Sequence, residues 1–131
     1  MINTFFVPAK TVITANGDSD PVAIDSAVNR VFLVTLTITE IVEQEAIEIR
    51  VYGSPDGQTW PATPVLTFPQ RFYTGETPIL LDLHDQPDIK YLRAHWEVNR
   101  WGRGLEQPKF EIALSLREVP KEMLVASRAS S

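Results

Sequence analysis

The stretch FEIALSLR, residues 110–117, alternates large apolar residues at its even positions with small or polar residues at its odd positions. Successive side chains of a β-strand point to opposite faces, so this pattern predicts a strand buried on one face and exposed on the other. A helix would mix the two classes of residue on every face. The same period of two recurs along the chain, and it decides the fold class.

Four further segments repeat the pattern, and residues 31–39 add the β-branched residues that strands favour. Turn signals such as SPDG, residues 54–57, separate the segments, and the ten prolines argue against helices. We therefore predict an all-β fold, an antiparallel β-sandwich or jelly roll of about eight strands. The strong candidates besides 110–117 are residues 31–39, 47–52, 79–83 and 90–98, and the weaker ones are 11–14, 22–25 and 65–68.

A chain of 131 residues suits one domain. We divide it into an N-terminal arm of residues 1–9, a β-sandwich of residues 10–119 and a tail of residues 120–131. The arm is apolar and carries Phe5 and Phe6. It is expected either to cover its own sandwich or to add a strand to the sheet edge of a neighbouring subunit.

Composition excludes several kinds of function. The chain has no cysteine, which rules out disulfides, thiolate metal sites and cysteine nucleophiles. A net charge of −5 with interspersed signs argues against nucleic-acid binding, which needs a basic stripe. No apolar run is long enough to span a membrane, and the first ten residues lack the features of a signal peptide. The expected location is a virion or another assembled particle, and otherwise the cytoplasm.

Residues with catalytic or metal-binding chemistry are few. Asp82, Asp85 and Asp88, with His84 among them, could bind a cation through carboxylate oxygens, or the aspartates could cap the backbone of their own turn. The run NGDSD, residues 16–20, offers the same alternatives. No serine has the setting of a catalytic nucleophile, and no phosphate-binding loop or paired-histidine motif occurs. We predict no enzyme, no cofactor and no resident metal.

Aromatic and arginine residues are the best candidates for contact with a partner. Trp96 shares a predicted face with Leu92 and is expected in the core. Trp101, in NRWGRG at 99–104, is either a corner residue of the sandwich or an exposed plate for a neighbouring subunit or a sugar ring. Tryptophan and arginine are enriched in interface hot spots, and an arginine stacks well on a tryptophan. The predicted contact residues are Phe5, Phe6, Trp60, Tyr73, Arg100, Trp101 and Arg103.

The run YGSPDGQTW, residues 52–60, resembles a turn of discoidin-like (coagulation factor 5/8 type C) domains. FYTG at 72–75 and PDIKYLR at 87–93 follow in the order of that family, and the similarity covers residues 45–117. The chain lacks the family's cysteine pair and the tryptophan of its N-terminal segment. The resemblance implies a β-sandwich, and it makes glycan binding by the loops an alternative function. The turn is also similar to turns of phage tail and capsid-associated proteins.

Together these observations favour a non-enzymatic structural subunit of a larger homomeric assembly. A virion component, such as a capsid decoration, tail or fibre-associated protein, is its most concrete form. The expected partners are further copies of the chain and other particle proteins. The alternative is a discoidin-like carbohydrate-binding module, with a glycan as its ligand.

Overall fold

The computed structural model describes residues 2–27, 30–41, 45–69, 74–100 and 110–120. These residues form nine strands and no helix, and so no helix among them could cross a membrane. The strands are β1 (Asn3–Ile13), β2 (Gly17–Asp18), β3 (Val22–Ala23), β4 (Val31–Ile41), β5 (Glu45–Ser54), β6 (Leu66–Thr67), β7 (Gly75–Asp82), β8 (Tyr91–Arg100) and β9 (Phe110–Glu118).

The strands form two antiparallel sheets. One sheet has the order β1-β9-β4-β7, and the other has the order β2-β8-β5-β6, with β3 paired to a further part of β8. Apolar side chains from both sheets belong to one buried cluster. This arrangement confirms the predicted β-sandwich.

The decisive stretch occupies the centre of the four-stranded sheet. Strand β9 pairs with β1 on one side and with β4 on the other. Phe110, Ile112, Leu114 and Leu116 have no exposed surface, whereas the residues between them are partly exposed. The period of two therefore places side chains as predicted, and the central position explains why the inner face of this strand is so completely apolar.

The weaker strand candidates all coincide with strands, although the bounds differ. Residues 11–14 overlap the end of β1, residues 22–25 contain β3, and residues 65–68 contain β6. Strand β2 was not predicted, because its two residues are too few to show a period. It pairs with His95 and Trp96 of β8.

The predicted N-terminal arm forms most of β1 and pairs with β9 of its own chain. It therefore covers its own sandwich, and the strand continues without a break past the predicted boundary at residue 9. A register shift between Phe5 and Val7 interrupts the alternation. As a result Phe6 and Val7 are both buried, whereas Phe5 is 49% exposed.

Among the described residues, the two edges of the four-stranded sheet are poor templates for a further strand. The two long edge strands carry a proline each, Pro8 in β1 and Pro78 in β7, and Lys10 of β1 has a φ of 62°. The edge strands of the other sheet are only two residues long. Proline, irregularity and short length are the usual protections of a sheet edge.

Arg30 fastens the loop between β7 and β8 to the sandwich. Its Nε donates to the carbonyl of Leu83 at 3.3 Å, and its Nη2 donates to the carbonyls of Gln86 and Ile89 at 2.8 and 2.6 Å. One guanidinium thus satisfies three loop carbonyls, which fixes the entry of the chain into β8.

Two leucine substitutions test the assignment of faces. We expect Leu114→Ala to lower the free energy of unfolding by about 2–5 kcal/mol, because it leaves a cavity in the core. The matched substitution Leu80→Ala, at a side chain that is 54% exposed, is expected to cost less than about 1 kcal/mol. Urea denaturation measures both values, and equal losses would contradict the assignment.

Candidate functional site

Each sheet has an outer face, and the two faces differ in chemistry. We call the outer face of the sheet containing β5 and β8 the polar face, and that of the sheet containing β4 and β9 the threonine face. The polar face consists of Asp18, Glu48, Arg50, Tyr52, Arg93, His95 and Glu97. The threonine face consists of Asn3, Phe5, Leu33, Thr35, Thr37, Glu76, Pro78, Leu80, Asp82, Glu111, Ala113, Ser115 and Arg117.

Charges on the polar face pair with one another. Strand pairing aligns Asp18 and Arg50 on either side of His95. His95 Nδ1 lies 2.8 Å from a carboxylate oxygen of Asp18, and its Nε2 lies 3.4 Å from one of Glu97. Arg50 forms ion pairs with Glu48 and Glu97. Since these residues are partly exposed, each pair stabilises the fold by no more than about 1 kcal/mol, but together the pairs give most charged groups of this face an opposite partner.

A shallow pocket of about 290 Å³ lies at one end of the polar face. The guanidinium carbon of Arg93 lies 4.5 Å from the centre of the Trp60 ring, which is a cation–π contact. Arg93 Nε is buried and has no hydrogen-bond partner among the described residues, and Asp18 lies 3.8 Å from it. The pocket therefore combines an aromatic plate with charged groups. Its lining residues are Asp18, Tyr52, Trp60, Pro61, Arg93 and His95.

The turn before Trp60 has the geometry that its sequence predicts. Ser54 Oγ accepts from the backbone N–H of Gly57 at 2.9 Å, and Asp56 Oδ1 accepts from those of Gln58 and Thr59, both at 2.8 Å. Gly57 has a φ of 78°, a conformation that favours glycine. This network fixes the direction in which the chain reaches Trp60.

The threonine face contains a hollow of about 450 Å³. Phe5 stands at its side, 49% exposed, and Leu80 on the same face is 54% exposed. Glu76 and Arg117 are the charged residues that line the hollow, and neither forms an ion pair within the described part of the chain. In contrast to the polar face, this face leaves both apolar surface and charge without a partner in the described residues.

The predicted contact residues have different positions. Phe6 lies in the core of its own chain, 7% exposed, so the contact predicted for it is made within the subunit, and Phe5 is the exposed phenylalanine of the arm. Trp60 lines the pocket on the polar face. Arg100 is the last residue of β8, and its side chain is not part of what the structure describes. Tyr73, Trp101 and Arg103 lie outside the described residues.

Trp96 packs against the core, as predicted, although it is only partly buried. Its Nε1 donates to the carbonyl of Ala15 at 3.2 Å. The indole thus joins the apolar cluster with its ring and satisfies its polar atom at the surface.

The two candidate cation sites hold internal contacts in this structure. His84 lies 2.6 Å from a carboxylate oxygen of Asp82 and 3.0 Å from one of Asp85. In the run 16–20, Asn16 accepts from the backbone N–H of Val98 and Ser19 from that of Ala94, which fastens the run to β8. Within the described ranges, no three histidine, aspartate or glutamate residues come together in a group that could hold a metal ion.

Sequence reasoning found Trp60 but missed its partners in the pocket. The strand pattern of residues 90–98 does not single out Arg93 or His95, and Asp18 lies in the run 16–20, for which the sequence leaves a cation site and a capped turn as alternatives. The three residues meet because β2 and β8 are neighbours, a pairing that no local pattern reveals. An exposed arginine beside a histidine on one strand face is too common a signal to indicate a pocket.

Comparisons with protein-family models and with curated proteins found no match to this chain. The similarity of residues 45–117 to discoidin-like domains stays a prediction. The function is therefore argued from the geometry of the two outer faces.

Asp56 provides a test of the turn. The N–H groups of Thr59 and Gln58 hold the pKa of its carboxyl at about 2, below the ordinary 3.8. Because the pKa is lowered in the folded state, its stabilising effect is present above pH 3.8 and is lost as the pH falls through about 2. NMR titration should place the midpoint of this carboxyl near 2, whereas a midpoint near 3.8 would contradict the geometry.

The substitution Asp56→Asn isolates this effect, because the amide oxygen still accepts hydrogen bonds but the side chain no longer titrates. We expect the variant to lose less stability than the native chain between pH 3.8 and 2. Thermal unfolding at each pH measures the difference.

Proposed function

We propose that this protein is a non-enzymatic structural subunit that assembles with further copies of itself. The observation that carries the proposal is the contrast between the two outer faces. The polar face pairs most of its own charges, whereas the threonine face exposes Phe5 beside a hollow and Leu80 elsewhere on its surface. Phe5 and Leu80 lie on the two edge strands of this sheet, and covering the face with another protein would remove both side chains from water.

The most concrete form of the proposal is a virion component: a capsid decoration, tail or fibre-associated protein. It is supported by the similarity of the turn at residues 54–60 to turns of phage structural proteins, a turn whose hydrogen bonds are fully formed here. In this form the partners are further copies and other particle proteins, and the location is the assembled particle.

The test is the mass of the purified chain as a function of concentration. Sedimentation velocity from low to high micromolar concentration should show a discrete oligomer, and negative-stain images should show regular particles of one size. A chain that remains a monomer over the whole range contradicts the proposal.

The pocket beside Trp60 favours a second candidate, a carbohydrate-binding module. Aromatic rings provide apolar plates for sugar rings, and aspartate, histidine and arginine provide acceptors and donors for sugar hydroxyls. The pocket of about 290 Å³ supplies both aromatic rings and polar groups, from Trp60, Tyr52, Arg93, His95 and Asp18.

Glycan-array binding tests this candidate. If it is correct, Trp60→Ala should weaken binding about tenfold or more, because the substitution removes the aromatic plate. Phe5→Ala, on the opposite face of the sandwich, is the control and should leave binding unchanged. A native chain that binds no glycan on the array would rule this candidate out.

A further inference from the structure

The threonine face carries a projection and a hollow side by side. Phe5 on β1 projects beside a hollow that is walled by the short side chains of Thr35, Thr37 and Ser115. A twofold interface brings the same patch of two copies together, so it requires a surface that is complementary to itself. A projection next to a hollow on one patch meets this requirement.

The two charged residues that line the hollow are also complementary to each other. Arg117 pairs with Leu33 across one side of β4, and Glu76 pairs with Thr37 across the other side. The two residues are therefore about 14 Å apart along the strands and about 10 Å apart across them, or roughly 17 Å in total. At this separation they cannot form an ion pair within one chain.

We propose that two copies of this chain pack threonine face to threonine face, related by a twofold axis that lies in the interface and passes Thr35. This inference rests on the proposed function and names the surface through which the copies meet.

The position of the axis follows from the strand register. Thr35 lies on β4 midway between Leu33 and Thr37, so it is the midpoint between Arg117 and Glu76. The axis lies in the interface, passes through this midpoint and is perpendicular to the line that joins the two charges. A rotation of 180° about it places Arg117 of each copy opposite Glu76 of the other. On a lattice of strands about 4.8 Å apart, the same rotation places Phe5 over Ala113 and Thr37 of the second copy. These residues are small enough to receive a phenyl ring.

The size of the face suits a weak, reversible pair. Four strands, paired over the eight residues from Val31 to Ile38, cover about 19 Å by 27 Å, or about 500 Å² per copy. Because the rotation crosses the strands of the two copies at about 70°, roughly 350 Å² of each face overlaps and a pair buries roughly 700 Å², the size of a transient interface. The prolines of the edge strands disfavour the alternative in which copies join their sheets edge to edge.

Charge exchange tests the pairing. We expect Glu76→Arg alone and Arg117→Glu alone each to weaken self-association about tenfold or more, because each places like charges opposite one another. The double variant Glu76→Arg with Arg117→Glu should restore the native association, since the pairs are re-formed with the signs exchanged. Asp25→Arg, an exposed site that does not line this face, is the charge-matched control. Circular dichroism of each variant monitors folding independently.

A second measurement uses the absence of cysteine from the chain. Thr35→Cys places a single thiol beside the twofold axis of the pair. Because facing sheets lie about 10 Å apart, too far for a direct disulfide, a short bis-maleimide is the appropriate reagent. We expect it to give covalent dimers with Thr35→Cys and none with Asp25→Cys.

The outcomes separate this inference from the proposed function. If the native chain associates but the single charge variants do not weaken it, or the double variant does not restore it, copies meet through another surface. The twofold pair is then wrong, whereas the assembly role stands. If the native chain is a monomer at every concentration, both are wrong.

Discussion

Closure of the two sheets over one apolar core is the constraint on which the rest of the structure depends. Four fully buried side chains illustrate this closure, two from each sheet: Phe32 and Phe110 from one, Ile49 and Leu92 from the other. Each such side chain contributes about 1.5–3 kcal/mol relative to exposure. Because neighbouring residues of a strand point in opposite directions, burying one set fixes the other set on an outer face. The chemistry of both outer faces is therefore a consequence of how the core is closed.

The two faces respond to this constraint in different ways. On the polar face, long charged side chains cross from strand to strand, and His95 lies between the carboxylates of Asp18 and Glu97. On the threonine face, the central side chains are short and carry hydroxyl groups, whereas the larger side chains of Phe5 and Leu80 are exposed. The polar face can remain in contact with water at little cost in free energy. Covering the threonine face would remove exposed apolar side chains from water, which is favourable. The prolines of β1 and β7 blunt the edges of the four-stranded sheet, which makes its outer face the more suitable surface for contact with another molecule.

Local features of the site were predictable, and features built from distant segments were not. The turn at residues 54–60 could be predicted because every partner in its network lies within a few residues. The clamp formed by Arg30 could not, since the carbonyls it binds follow more than fifty residues later. For the same reason Trp60 was identified as a contact residue, but Arg93, which stacks on it, was not. The separation of Phe5 from Phe6 depends on a bulge whose position only the pairing with β9 defines.

The alternation of apolar and polar residues is enough to predict the all-β class and the side chains of the long strands that point inward, as residues 110–117 illustrate. It could do so because a period of two is a property of the extended backbone and needs no knowledge of neighbouring strands. The tertiary structure decided that β9 lies between β1 and β4, and that β8 lies between β2 and β5. Strand order depends on pairing between residues far apart in the chain and on the shape of the shared core. It therefore sets which outward side chains meet, and with them the pocket, the hollow and the two contrasting faces.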